Sequence, residues 1–255
     1  MKKLLLIMIL GVMTLTLNAC AFLDELIGPP EVEENFQEII MESRDHLIKT
    51  NVGLYVEDEG RGIFPGRSES RIGSGVVFYE SDDLYYVLSS YHVIEAAHDN
   101  DVNYEVRPFG HDEEETITAE LLFYCEDADL ALLAFDRAAA EMELINITAR
   151  YGDSLRRGEF VLAVGNPSGI DSVVTFGEYN RRVNIDRVDF EVIAHNAQIY
   201  PGNSGGLLAD RHGNLIGINN WSSQSIEQSY AVGLDEIYEF LRGTEIPFTF
   251  LEGGS

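Results

Sequence analysis

The chain has 255 residues, 45% hydrophobic and 24% charged, a balance that excludes a largely disordered or collagen-like protein. Forty-four acidic side chains against 17 basic ones give a formal charge of −27, which repels phosphate and anionic headgroups and argues against nucleic acid or electrostatic membrane binding. Two cysteines, Cys20 and Cys125, exclude a disulfide framework and any zinc site built from three or four thiolates.

The first elements read as an address. Lys2 and Lys3 precede an uncharged apolar run from Leu4 to Leu17. That run is shorter than the roughly 20 residues of a membrane span and suits the core of a signal peptide. It ends in Leu17-Asn18-Ala19-Cys20, which resembles the lipobox of bacterial lipoproteins, with Asn18 bulkier than usual. The resemblance implies cleavage after residue 19, lipid on the Cys20 sulfur and an exported protein held at the cell envelope. An ordinary signal peptide ending near a cysteine is the alternative. Residues 20–33 read as a tether, because Gly28-Pro29-Pro30 stops regular structure.

Residues 34–49 read as a helix, with Phe36, Ile39, Ile40 and Leu47 on one face. From residue 51 to about 233 the pattern turns to short apolar or alternating runs, about eleven or twelve strands, among them 53–56, 75–79, 84–88, 116–123, 130–135, 160–164, 173–176 and 215–218. Residues 138–157 carry weaker strand signals and connect two halves. Residues 235–242 read as a closing helix, with Asp235 and Glu236 at its start and Arg242 at its end. Many short strands and few helices predict an all-β barrel or sandwich. Cys125, in the apolar run 121–125, reads as a small core residue. His111-Asp112-Glu113-Glu114-Glu115 reads as a solvated loop, with a calcium site as the sharper alternative.

The chemistry concentrates in Pro201-Gly202-Asn203-Ser204-Gly205-Gly206. Glycines let a loop turn tightly and aim several N–H groups at one point, and a serine there is placed to attack a carbonyl. A plain glycine-rich turn would look the same. The serine needs a base, since its hydroxyl is a weak nucleophile. Of the six histidines, His46, His98, His111 and His212 read as surface residues, and His195 receives no role. His92 follows the apolar strand Tyr86-Val87-Leu88 and can be held at a cleft rim, although a structural histidine fits as well. Asp127 and Asp129 both precede the apolar strand Leu130–Leu133, and an aspartate opening a buried strand can reach inward to orient the base.

His92 in LSSYHVI, Asp129 in DADLALL and Ser204 in PGNSGGLL resemble the chymotrypsin-like serine proteases, and more closely the protease domain of the bacterial HtrA (Deg) type. Gly73-Ser74-Gly75, Val164-Gly165-Asn166-Pro167, Leu215-Ile216-Gly217 and Tyr230-Ala231-Val232 resemble further motifs of that family, in the right order, over about residues 34–242. The resemblance implies two six-stranded antiparallel β-barrels, about 51–137 and 155–234, within a protease domain of residues 34–255 carrying an N-terminal and a C-terminal helix. It implies Ser204 as nucleophile, His92 as base and then acid, Asp129 as its orienter, and the N–H groups of Gly202 and Ser204 as oxyanion hole. Protein or peptide substrates, unfolded ones above all, are implied, with no metal or organic cofactor.

The chain departs from the family pattern at Tyr91, where asparagine is usual, at Leu207, where proline is usual, and at His195-Asn196-Ala197-Gln198, where threonine-aspartate-alanine-alanine is common. Gln198 and the strand Asn219-Asn220-Trp221-Ser222 are the candidates for the pocket floor and the substrate-pairing edge. The family usually carries PDZ domains after the protease, and the sequence to Ser255 offers no room for one. The competing reading is a non-enzymatic binding module on a protease scaffold.

Overall fold

Strand β1 (Asn51–Asp58) shows how the pattern becomes structure: its alternate residues Val52, Leu54 and Val56 all lie in the core. The computed structural model describes residues 36–58, 69–95, 102–112, 115–169, 172–223 and 225–246. The leader, Cys20, the tether, His98 and Glu113-Glu114 lie outside them. The chain falls into two compact units, residues 1–39 and 40–255. Of the first, only residues 36–39, the opening turn of helix α1 (Phe36–Thr50), are described.

The second unit holds two closed barrels. The first is built from β1, β2 (Glu69–Glu80), β3 (Leu84–Ser89), β4 (Val102–Pro108), β5 (Ile117–Cys125) and β6 (Leu130–Asp136), in the order β1-β2-β3-β6-β5-β4. The second comprises β7 (Phe160–Gly165), β8 (Val173–Asn184), β9 (Glu191–His195), β10 (Leu207–Asp210), β11 (Leu215–Ser223) and β12 (Gln228–Gly233), in the order β10-β11-β12-β9-β8-β7. Every pairing between these strands is antiparallel. Helix α2 (Tyr91–Ile94) follows β3, and α3 (Leu234–Arg242) follows β12. Leu234, Ile237, Tyr238 and Leu241 give α3 one buried face at helical spacing.

The expected all-β architecture of two six-stranded barrels is therefore the observed one. Several elements differ from the sequence reading, and β1 and β2 extend beyond 53–56 and 75–79 at both ends. Strand β4, where Val102, Tyr104 and Val106 alternate with Asn103, Glu105 and Arg107, adds to the strands read from the sequence although it carries the alternating signal. Strands β8 and β11 run well past their apolar cores, because ladder hydrogen bonds continue through polar residues such as Arg181-Arg182 and Ser222-Ser223. Cys125 is half-buried rather than a core residue, since a register shift near Leu121–Phe123 turns the end of β5 outward.

Fully buried His195 ends β9 and carries its ring in the second barrel. Its Nε2 lies 3.0 Å from Asn219 Oδ1, while Nδ1 has no partner among the described residues. Burial pushes its pKa down to about 4, the bond to Asn219 opposing this in part. The unfolded chain binds this proton near pH 6.5 and the folded one only near 4, so stability falls as pH drops through that window. Between pH 7 and pH 4 the parent should lose about 3 kcal/mol more than His195→Gln in urea unfolding, at about 1.4 kcal/mol per pH unit of pKa difference.

Candidate active site

Asp129 is the most heavily engaged side chain of the region. It closes the β5–β6 turn, where its N–H donates to the Glu126 carbonyl at 3.0 Å. Its φ is +50°, a left-handed conformation that a non-glycine residue adopts at some cost. That backbone turns a buried carboxylate towards α2. The His92 N–H donates to Oδ1 at 2.9 Å, and His92 Nδ1 lies 2.8 Å from Oδ2. A carboxylate only accepts, so Nδ1 carries the proton and the neutral ring keeps a lone pair on Nε2. Asp127 stays exposed in the turn.

The second barrel reaches the same carboxylate through Asn220. Its Nδ2 donates to Asp129 Oδ2 at 2.8 Å and to the Asp129 carbonyl at 2.7 Å. The Asn220 carbonyl in turn accepts the Ser204 hydroxyl at 3.2 Å. One buried asparagine of β11 thus links Ser204 to Asp129, the partner of His92. Among the described residues no hydrogen bond joins Ser204 Oγ to the His92 ring.

Ser74 of β2 fixes the loop that carries Ser204. Its N–H donates to the Ser204 carbonyl at 2.8 Å, and its hydroxyl donates to the Gly202 carbonyl and accepts the Asn166 N–H, both at 2.7 Å. Ser89 Oγ donates to the Ser74 carbonyl at 2.7 Å, which holds Ser74 itself. The loop runs so close that a Cβ on Gly205, at φ +85°, would lie 2.2 Å from the Ser74 carbonyl oxygen. At Gly202, φ is +100° and a Cβ would lie 2.4 Å from the Asn166 carbonyl oxygen, so only glycine fits.

The turn after β7 orients one peptide of this loop. The Ser168 N–H donates to the Pro201 carbonyl at 2.9 Å. In a trans peptide the Gly202 N–H then points the opposite way. Neither the Gly202 N–H nor the Ser204 N–H donates to a protein group among the described residues. Both are available to an external acceptor.

Of the five residues marked for the substrate pocket, Gln198 and Ser222 line a cavity of about 260 Å3 between residues 196–200 and the β11–β12 hairpin. Asn219, Asn220 and Trp221 do not line it. The Asn219 amide donates to the Leu207 carbonyl at 2.6 Å and its oxygen faces His195, while Asn220 serves Asp129. The functions of Ser74 and Asn220 as braces were not visible in the sequence. Motif membership of Ser74 in Gly73-Ser74-Gly75 was the one hint. Among the described residues no three His, Cys, Asp or Glu side chains cluster as a metal site.

A double-barrel fold with a histidine–aspartate pair on one barrel and a serine in a glycine-lined loop on the other defines a class of hydrolase scaffold. The trypsin-like peptidase domain family matches residues 73–218, and the chain belongs to that family. It is 37% identical over 158 residues to "Serine protease Do-like HtrB" of Bacillus subtilis, covering 58% of this chain and 32% of that protein. It is 34% identical over 165 residues to "Probable periplasmic serine protease do/HhoA-like" of Haemophilus influenzae, covering 61% and 33%. The chain thus spans about a third of the length of these relatives. Among solved structures, "HtrA-type protease AlgW with tripeptide" matches with a TM-score of 0.65 at 26% identity, over 80% of this chain and 62% of that one. Proteins named as HtrA-type or Do-like serine proteases are thus what the chain is similar to.

Replacing Ser74 by alanine leaves the Asn166 N–H without its acceptor and the Gly202 carbonyl without its donor. Amide hydrogen exchange should show the Asn166 protection falling by about tenfold or more, at about 1 kcal/mol per lost bond, while the β9–β12 amides keep theirs.

Proposed function

We propose that this domain is a serine endopeptidase working through His92, Asp129 and Ser204. The observation that carries the reading is the linked chain of contacts in which His92 Nδ1 meets Asp129, and Asp129 and Ser204 both meet Asn220. Ser204 Oγ attacks the scissile carbonyl as its proton passes to His92 Nε2. Asp129 keeps Nδ1 protonated and stabilises the imidazolium that forms. Charge developing on the carbonyl oxygen meets the free N–H groups of Gly202 and Ser204. His92 returns the proton to the leaving amine, and water then hydrolyses the acyl-enzyme by the same route. Gln198 and Ser222 border the pocket for the residue on the acyl side of the bond, and the β11 edge through Trp221 pairs with the substrate backbone.

The name of the Haemophilus influenzae relative includes the word periplasmic, which supports proteins of the cell envelope as substrates. The leader and Cys20 support export and a lipid anchor, with residues 34–255 as the protease domain beyond a short tether. One observation favours a second reading, a resting or non-enzymatic form: the Ser204 hydroxyl is held by the Asn220 carbonyl rather than by His92. Rotation about a single side-chain bond moves a hydroxyl between staggered positions, so that contact is compatible with an active enzyme.

The parent should cleave unfolded casein, with cut sites identified by mass spectrometry. Ser204→Ala and His92→Ala should each lose about six orders of magnitude in kcat, and Asp129→Asn about four, because such residues act as a unit. Equal cleavage by parent and Ser204→Ala would refute the assignment.

A further inference from the structure

A cavity of about 570 Å3 lies between the β5–β6 turn, the β8–β9 turn and α3, and contains neither His92 nor Ser204. Its apolar part comes from Phe123, Tyr124, Phe190 and Phe240. Phe123 and Tyr124 are 37% and 43% exposed and follow Leu122 at 39%, three successive apolar residues facing out at the end of one strand. Single exposed apolar side chains are ordinary, but a contiguous strip beside a cavity marks a place of contact.

The rim is anionic. Among the described residues, Glu126, Asp127, Asp186, Asp189, Glu236 and Glu239 line the cavity, against Arg187 as the one lysine or arginine. Of the six carboxylates only Glu239 has an ionic partner among the described residues, Arg242 at 3.2 Å. Burial, Asp235 and Glu239 hold the Glu236 carboxyl above the usual carboxylate range, with Arg182 opposing. Like charges gathered around apolar surface oppose one another until a cation joins them.

Charge also decides between occupants. A second copy of this chain brings a further −27, and residues 247–255 carry Glu252 but no lysine, arginine or histidine. A cationic partner is what remains. The cavity adjoins the reacting groups through two short links. The Glu126 carbonyl accepts the Asp129 N–H at 3.0 Å, and Tyr124 stacks on Tyr91 at 5.2 Å, next to His92.

We propose that this cavity is a second docking site for the substrate chain, taking a segment in which lysine or arginine flanks an aromatic or aliphatic anchor, apart from the residues being cleaved. The inference rests on the proteolytic reading above. Tethering by a second site raises the effective concentration of the scissile segment without new contacts at Ser204.

The test has two arms, both with the full chain. In the first, a fluorescent peptide alternating lysine and phenylalanine is titrated into Ser204→Ala, which cannot digest it. Binding is compared with Asp186→Asn/Asp189→Asn/Glu239→Gln in the same background, and with the control set Asp82→Asn/Asp83→Asn/Glu141→Gln. The rim set should weaken binding about tenfold at low salt and the control set less than twofold. In the second arm, the parent cleaves one peptide with and without that lysine–phenylalanine segment appended. The segment should raise kcat/KM about tenfold, and the rim set should abolish the gain while leaving cleavage of the plain peptide unchanged. Equal weakening by both charge sets, or cleavage of the plain peptide with no gain from the segment, would overturn this inference alone. Absence of all cleavage would overturn the proteolytic reading, and this inference with it. Should the triple variant fail to unfold cooperatively, Asp189→Lys alone provides the same comparison.

Discussion

The contact between Ser74 and the loop of Ser204 is the constraint on which the site depends. Each barrel closes on its own hydrogen bonds, so nothing in the strand ladders aligns one barrel with the other. The alignment comes from the connecting segment, where the Ile145 N–H donates to the Val77 carbonyl and the Asn146 carbonyl accepts the Leu215 N–H, and from a few buried polar groups that cross between them. Ser74 uses its N–H, hydroxyl and carbonyl at once, reaching Ser204, Gly202, Asn166 and Ser89. Asn51 adds an amide donated to Ser172 at 2.9 Å. Buried groups of this kind are costly when unpaired, which makes the aligned arrangement specific as well as stable.

Asn220 makes the same argument from the other side. It ties Asp129 of the first barrel to the strand whose carbonyl holds Ser204. The backbone strain at Asp129, φ +50°, persists because four hydrogen bonds to its carboxylate and carbonyl over-determine its position. Loop geometry is tuned similarly at Ser168, φ +54°, whose N–H fixes the peptide before Gly202. Precision at the reacting groups is thus built from paired polar atoms and local strain laid over two apolar cores.

The legible part of this structure follows from periodicity and motif. Val52, Leu54 and Val56 alternate as an inward-facing strand must, and His92, Asp129 and Ser204 stand in motifs specific enough to be read in order. Strand β4 alternates in the same way, with Val102, Tyr104 and Val106 between polar residues, but its pairing with β1 is made by backbone groups that sequence does not display. A related limit applies to Asn219 and Asn220. Neighbouring residues on one strand face opposite sides, so two identical side chains divide between His195 and Asp129, and sequence does not display which one meets which. The outward turn of Cys125 comes from the register shift in β5.

The central claim is that Ser204 is made nucleophilic by His92 and Asp129 in this geometry. The measurement that reaches it most directly is reaction of the intact chain with a fluorophosphonate, followed by peptide mapping. The account predicts a single adduct on Ser204, absent from His92→Ala and much slower in Asp129→Asn. Failure of Ser204 to react in the folded parent, or equal labelling of the His92→Ala variant, would contradict it.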